Sequence, residues 1–459
     1  MFSSVRNIHF IGIGGIGMSG IAEILIREGF NVSGSDMSQS DNTDYLENLG
    51  ARIFIGHDPQ NVSDAEVVVY SSAVKIDKNV ETLEAKERNI PLIRRAEMLA
   101  EVSRLNYCVG VAGTHGKTTT TSMVALPLIQ GGIDPTVLVG GRLSDFGGTN
   151  ARLGKGKWTV VEADEYDRSF LQLLPTFAVI NNIEAEHMDI YEDEEDLMDT
   201  FIEFANKVPF YGFVAIGLDD KLNRQILKKV NKKIVTFGLS RHADVRASDI
   251  VHENGYTDFT VINKNQKLGT VRIHTPGDHN VRNALASITI ALALDVPFET
   301  ISSALEAFKG VMRRFERKGT FRGCDVIDDY AHHPSEIEAT LKAARDAYGN
   351  KRLIAVFQPH TYTRTKNHYR EFGEAFDEAD SLVVAGIYPA REEPIEGVSG
   401  KLIADAAMSY GHSDVIYVEE LDEVTETLKI GIEKESAVII CMGAGPIWKV
   451  ANALVGSGE

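Results

Sequence analysis

The stretch "VGVAGTHGKTTTT", residues 109–121, decides how the chain is read. An apolar, strand-like run enters a short loop with Gly113 and Gly116, and Lys117-Thr118 opens a helical run that extends to about Gln130. Gly113, Gly116 and the N–H groups between them can form an anion-binding nest. Lys117 can reach β- and γ-phosphates, and Thr118, at a helix start, can ligate Mg²⁺. Yet the usual spacing, G-x-x-x-x-G-K-[ST], wants glycine at 111, where this chain has Val111. The stretch is either a nucleotide site with a tighter loop or a chance tripeptide, and the remaining motifs must decide.

The 459 residues exceed what one core organises and suggest about three domains. With 43% hydrophobic and 25% charged residues the composition is that of an ordinary globular protein. A net charge of −19 disfavours nonspecific nucleic-acid or anionic-membrane binding. A phosphate ligand must therefore be held by local cations and backbone N–H groups. Cys108, Cys324 and Cys441 are far apart and form neither a zinc spacing nor a disulfide framework. The first residues lack a signal-peptide pattern, and no apolar run approaches the roughly 20 residues that cross a bilayer. These features point to a cytoplasmic protein with no nucleic-acid partner and no membrane insertion; between monomer and homodimer the sequence does not choose.

Short β-rich runs alternate with helical patterns throughout, the signature of α/β domains with largely parallel sheets. "NIHFIGIGG", "NVSGSD", "EVVVYSS" and "IPLIRR" read as strands of a Rossmann-like unit over 1–105. "YCVGVAG", "KWTVVEADE" and "TFAVINNIEAEH" read as strands of a P-loop ATPase-like unit over 106–312, with a hairpin-like insertion at 243–275 and a long helix at "DHNVRNALASITIALAL". "DVIDDY", "RLIAVFQ", "SLVVAGI", "DVIYV" and "AVIICMG" read as strands of a second Rossmann-like unit over 313–459.

Three further constellations carry chemistry. Gly12-x-Gly14-x-x-Gly17 lies between a strand and a helix, where small residues let backbone approach a diphosphate and the helix N-terminus supplies donors. Asp36 ends the next strand, where an acid can bind a ribose hydroxyl; a tight turn without ligand is the alternative. Glu162, Asp164 and Glu165 follow one strand and His187 follows another, at the edge where open α/β sheets place ligand groups. Carboxylates suit Mg²⁺ and an imidazole suits a second divalent ion, although a solitary histidine is commonly structural. "DDYAHHP" (328–334) and "QPHTYTRT" (358–365) gather acids, histidines and a tyrosine that serve either a site or helix capping. Arg313 and Arg314 mark a hinge or a solvated basic turn.

Together "GIGGIGMSGIAEIL", "AGTHGKTTTT", "EADEYDRSF", "NIEAEHMDIY", "GDHNVRNALA", "RRFE", "DDYAHHP", "QPHTYTRT" and "IYPAREEPIEG" resemble, in this order and over almost the whole chain, the Mur ligase family. That family uses a shorter GT-x-GK-T loop, which accommodates Val111. The resemblance implies a three-domain enzyme of peptidoglycan precursor biosynthesis. It would use ATP and Mg²⁺ to join L-alanine to the carboxylate of UDP-N-acetylmuramate through an acyl phosphate. A sister ligase attaching a preformed peptide to the same nucleotide is the near alternative; an NAD-dependent oxidoreductase leaves the Lys117 loop unexplained. The resemblance assigns Gly113, Thr114, His115, Gly116, Lys117, Thr118 and Thr119, with His279, Asn283, Arg314 and Asp329, to ATP. Gly12, Gly14, Gly15, Gly17, Asp36 and Ser72 fall to the UDP substrate, and Tyr330, His332 and Arg364 to an amino-acid site closed by the third domain. Thr118, Glu162 and His187 fall to metal, and Lys117, Glu162 and His187 to catalysis. Thr361 stands where the family often has a basic residue, and Glu203 is the candidate to replace a lysine that many sister ligases carbamylate.

Overall fold

The computed structural model describes residues 5–71, 73–104, 106–143, 148–184, 190–253, 256–390, 392–432 and 436–456. They form three sheets, and the chain divides into two compact units. The first unit is Met1–Ser248, Thr260–Val271 and Arg282–Phe308; the second is Asp249–Phe259, Arg272–Val281 and Lys309–Glu459.

In the first unit, β1 (Asn7–Ile11), β2 (Asn31–Asp36), β3 (Arg52–Ile55), β4 (Val67–Tyr70) and β5 (Leu92–Arg94) make a parallel sheet in the order β3-β2-β1-β4-β5. The order reverses between β1 and β4, the crevice where such sheets hold ligands, and the Gly12 loop leaves β1 there. A second sheet is built from β6 (Tyr107–Ala112), β7 (Thr136–Leu143), β8 (Thr149–Arg152), β9 (Trp158–Glu162), β10 (Phe177–Ile180), β11 (Phe213–Gly217), β12 (Ile234–Gly238), β13 (Val245–Glu253), β14 (Tyr256–Asn263) and β15 (Gln266–Ile273). Its order is β15-β14-β13-β12-β11-β10-β6-β9-β7-β8, with β6 between β10 and β9. Of these strands the sequence reveals β6, β9, β10 and the insertion that contains β13–β15, but not β7, β8, β11 or β12. The helix Glu194–Asn206 buries Phe201 and Phe204 against Phe170, and Phe170 stacks on Phe204 at 4.7 Å.

The third sheet, in the second unit, runs β16 (Glu316–Phe321), β17 (Cys324–Asp329), β21 (Ala437–Met442), β18 (Arg352–Phe357), β19 (Ser381–Ala385) and β20 (Val415–Val418), with only β16–β17 antiparallel. Both faces are covered. Val438, Ile440 and Met442 join one core cluster while Ile439 and Cys441 join the other. This two-sided burial is why "AVIICM" is continuously apolar rather than alternating.

One buried charge stands beneath the first sheet. The Glu81 carboxylate accepts hydrogen bonds from Ser35 Oγ at 2.6 Å and Asn61 Nδ2 at 2.6 Å, and lies 3.5 Å from His9 Nε2 and 3.4 Å from His57 Nδ1. Burial opposes its ionisation, but His9, Ser35 and Asn61 outweigh burial and pull its pKa from 4.5 to about 2. A carboxyl whose folded pKa is depressed stabilises the fold above its unfolded pKa and loses that contribution as pH falls through the folded value. The contribution of Glu81 is on the order of 3 kcal/mol at neutral pH. Urea unfolding of the wild type and Glu81→Gln should show a stability gap that is full at pH 6 and narrows from about pH 4.5 downward. A gap of constant size down to pH 3 would mean that the charge is not what matters.

Candidate active site

The phosphate loop is shorter than the common pattern because β6 continues through Ala112. Val111 is a strand residue paired with Glu162 on one side and Val179 on the other, so no glycine is needed there. The turn is confined to 113–116, and the helix Lys117–Gln130 starts at once. Gly113 has φ 140° and Gly116 φ 77°. A Cβ on Gly113 would stand 3.1 Å from the Asn181 nitrogen, and one on Gly116 2.6 Å from Asn283 Oδ1. Neither position admits a side chain without moving the loop.

The segment after β10 is the floor of this loop. Thr114 N–H donates to Asn182 O at 3.0 Å, His115 N–H to Asn182 Oδ1 at 2.7 Å, and Glu184 N–H to Thr114 Oγ1 at 2.8 Å. His115 Nε2 lies 3.2 Å from Glu184 Oε2. Asn181 donates to Thr120 Oγ1 at 2.9 Å, and Thr120 donates to Asn283 Oδ1 at 3.0 Å. Asn283 therefore ties its helix to the loop helix. Sequence reasoning singled out His187 in this stretch but passed over Asn181, Asn182 and Glu184; the asparagine pair directly after a strand was the available signal.

Lys117 Nζ donates to Gly113 O at 2.7 Å, Thr114 O at 3.0 Å and Glu165 Oε1 at 2.9 Å. Burial works against its charge, but Glu165, Asp164 and Glu162 together hold its pKa above the ordinary lysine value. Burial in turn pushes the Glu165 carboxyl up to about 7, against the downward pull of Lys117. The carboxylates of Glu165, Asp164 and Glu162 all favour the charged ammonium. Tyr191 Oη anchors the Glu165 carbonyl at 2.6 Å.

Glu162 ends β9 and accepts Gly140 N–H at 2.7 Å. Thr118 lies in the first turn of the loop helix. Among the described residues no group of three or more His, Cys, Asp or Glu is arranged to hold a metal. Mg²⁺ does not need one: it keeps several waters and takes a carboxylate, a hydroxyl and phosphate oxygens. The all-oxygen donors Thr118 and Glu162, beside a charged lysine at a phosphate loop, fit that ion. His187 and Ser72 lie outside the described residues.

At the first glycine loop, Gly12 N–H and Ile13 N–H both donate to Ser35 O, at 2.8 and 3.0 Å. Asp36 receives Gly14 N–H on Oδ2 and Met37 N–H on Oδ1, each at 2.8 Å. In this state Asp36 braces the loop itself. Gly15 caps the helix Ile16–Arg27. Asn150 Nδ2 donates to Ile16 O, so this helix is pinned to the edge strand β8 of the second sheet.

In the second unit, the ends of β17, β18 and β21 gather the remaining candidates. Asp329 accepts Phe315 N–H at 2.6 Å and Ala331 N–H at 2.8 Å, which makes it an organiser of local backbone. Burial raises its pKa, against Arg314. Arg314 and Arg313 lie over the Tyr330 ring at 5.2 and 5.0 Å. Arg313 is no solvated turn residue: it donates to Gly443 O at 2.6 Å and Gly445 O at 3.1 Å, and its Nε is 3.4 Å from buried Asp328. The His332 ring stands 5.2 Å from Tyr330 and 5.8 Å from His360. Burial, with His332 and Arg364 nearby, lowers the His360 pKa to about 4. Among the described residues, buried Gln358 Oε1, His360 Nδ1 and Arg364 Nη1 each have no hydrogen-bond partner. Orphaned buried polar atoms of this kind call for a ligand or ordered water. His279, assigned to adenine by resemblance, is 3.1 Å from Asn280 Nδ2.

Three family descriptions match the chain in succession: "Mur ligase family, catalytic domain" over residues 7–107, "Mur ligase middle domain" over 111–291, and "Mur ligase, glutamate ligase domain" over 313–445. The chain belongs to the Mur ligase family. This Mur ligase is 50% identical over 455 residues to the UDP-N-acetylmuramate–L-alanine ligase of Geotalea uraniireducens, covering 99% of the chain and 98% of the relative. Its structure resembles that of the UDP-N-acetylmuramate-alanine ligase of Thermotoga maritima, with TM-score 0.84, 30% identity and 98% of each chain covered. It resembles less closely a murein peptide ligase of Psychrobacter arcticus, with TM-score 0.72, 26% identity and 99% of each chain covered.

Two residues singled out in the sequence have other duties in this Mur ligase. Thr361 is a helix N-cap, accepting Arg364 N–H at 3.4 Å with φ 66°, so its short hydroxyl serves backbone rather than standing in for a cation. Glu203 is exposed and pairs with Lys207 one turn along its helix at 3.2 Å, an ordinary surface pair rather than a replacement for a carbamylated lysine.

Proposed function

We propose that this chain is an ATP-dependent ligase that joins L-alanine to the carboxylate of UDP-N-acetylmuramate, a step of peptidoglycan precursor synthesis. The observation that carries this reading is half-identity over 99% of the chain to a ligase of that name. Two glycine loops, each at the end of a parallel strand, agree with it: one for the diphosphate of the sugar nucleotide and one for ATP. The likeness to the Thermotoga alanine ligase, greater than to the peptide ligase, favours a single amino acid over a peptide as acceptor. The domains we assign are 1–105 for the UDP substrate, 106–312 for ATP and 313–459 for the amino acid.

A carboxylate is a poor acyl donor. Its oxygen attacks the γ-phosphorus of ATP, the bond to ADP breaks, and an acyl phosphate forms. The neutral amine of alanine attacks the carbonyl carbon, and the tetrahedral oxyanion collapses with loss of inorganic phosphate. Phosphoryl transfer needs positioning and charge neutralisation above all. Lys117 and the N–H groups at the start of its helix, 116–118, supply these, with Glu165 aiming the lysine, while the Thr114 and His115 N–H groups are taken by Asn182. Mg²⁺, held by Thr118 and Glu162, would neutralise phosphate charge. Arg364, whose buried Nη1 has no partner among the described residues, is the group for the alanine carboxylate, since a guanidinium pairs with carboxylate in a fixed fork.

Mass spectrometry of the product formed from UDP-N-acetylmuramate, ATP, Mg²⁺ and a mixture of amino acids with the tripeptide tests the reading. The expected product carries one alanine; a tripeptide adduct would overturn the acceptor assignment. The metal assignment has its own test. Glu162→Gln keeps shape and removes charge, so the Mg²⁺ concentration giving half-maximal rate should rise about tenfold. An unchanged magnesium curve in a folded variant would take Glu162 out of the metal site.

A further inference from the structure

Arg95 opens the helix Arg95–Ser103 just after β5, and the sequence motifs gave it no role. Its guanidinium lies over the first turn of the helix that carries the first glycine loop. A Cβ on Gly17 would meet Arg95 Nη1 at 2.9 Å and Cδ at 3.2 Å. The third glycine of the motif thus makes room for this cation. On its other side, Arg95 Nη2 stands 3.6 Å from Asp164 Oδ2, in the acidic run beside the ATP loop. That separation is an ion pair but is too long for a hydrogen bond. Both side chains are partly exposed, 26% for Arg95 and 40% for Asp164, and solvent screening leaves such pairs weak. Asp164 has a second support, since its Oδ1 receives Tyr166 N–H at 3.2 Å. The neighbouring pair Arg94–Asp167, at 3.5 Å, is more exposed, 62% and 52%. Arg95 is therefore a guanidinium beside an anion-binding helix start, held by a weak partner that it can leave.

We propose that Arg95 is a binding residue for the anionic part of the sugar nucleotide, and that Asp164 is the partner it gives up when that anion arrives. The inference rests on the proposed function for the Gly12 loop. A guanidinium offers two parallel donors to either a diphosphate or a carboxylate, with charge-assisted bonds stronger than the ion pair they replace. The same exchange removes a positive neighbour from Asp164, one of the carboxylates that hold Lys117 charged.

Calorimetric titration of UDP-N-acetylmuramate and of UDP, without ATP, tests it on the whole chain. Arg95→Ala should raise the dissociation constant about ten- to hundredfold. Arg95→Lys should recover only part of that loss, because an ammonium lacks the planar fork. Asp164→Asn should act in the opposite direction and tighten binding by about threefold, since it removes the competing partner. Weakening with both UDP and UDP-N-acetylmuramate assigns Arg95 to the diphosphate; weakening with the latter alone assigns it to the muramyl carboxylate. A merely structural pair predicts something else: both substitutions lower the melting temperature and leave both affinities unchanged, and that result overturns the proposal. Wild-type protein that fails to bind UDP-N-acetylmuramate at all would instead overturn the function on which it rests.

Discussion

Lys117→Ala should lower the ligation rate by roughly 10²–10³-fold at saturating substrates while leaving the affinity for UDP-N-acetylmuramate within about twofold of wild type. The ammonium is held at the mouth of the 113–116 turn by two loop carbonyls and Glu165, and three carboxylates keep it protonated. Alanine removes the positive charge that we assign to the reacting phosphates, where preorganised charge matters most. It also leaves Glu165 buried without its nearest cation, which would raise the Glu165 pKa further. The Gly12 loop, which we assign to the sugar nucleotide, leaves a different sheet, so its N–H groups and Asp36 are untouched. Steady-state kinetics and calorimetry on the same preparation separate the two effects. Equal loss of rate and of sugar-nucleotide binding, with the fold intact by circular dichroism, would remove Lys117 from a dedicated ATP site.

What could be read in the sequence was whatever local chemistry enforces. A strand followed by closely spaced glycines and then a helix is a backbone requirement, and both glycine loops were legible for that reason. The runs "VVVY", "YCVGVA" and "AVIICM" announced buried parallel strands by their unbroken apolarity. What stayed hidden depends on contacts between distant segments. Glu165 is one of several acids in its run, and only the fold shows that its carboxylate faces Lys117 while Glu162 turns toward Gly140. Asp36 looked like a ribose ligand because it ends a strand; the turn of the loop brings Gly14 N–H onto it. Arg313 resembled a solvated basic residue, since nothing local reveals that the carbonyls of Gly443 and Gly445 come from 130 and 132 residues away.

The second large effect belongs to the first glycine loop. Gly14→Val should weaken UDP-N-acetylmuramate binding by about 10²-fold and change ATP affinity by less than about twofold. A Cβ at position 14 would stand 2.9 Å from Asp36 Oδ2, 3.1 Å from Ser40 Oγ and 3.2 Å from Thr43 Cγ2. The branched side chain adds two methyl groups to that crowded spot. Asp36 must then move, and the Gly14 N–H loses its 2.8 Å bond to it. Asn42 Nδ2, which donates to Gly14 O at 2.7 Å, is displaced with it. The backbone that has to approach a diphosphate is thereby shifted, and a misplacement of about 1 Å in such a site is enough for a hundredfold loss. Alanine, smaller by two methyls, should give an intermediate loss, because Ser40 and Thr43 can yield by a few tenths of an ångström. The Lys117 loop, which we assign to ATP, is held by Asn181, Asn182 and Asn283 at the end of another sheet, so it serves as the internal control. Calorimetry with each nucleotide on each variant decides. A Gly14→Val protein that binds UDP-N-acetylmuramate like wild type would place the diphosphate away from this loop, and the pairing of glycine motif with sugar nucleotide would have to be abandoned.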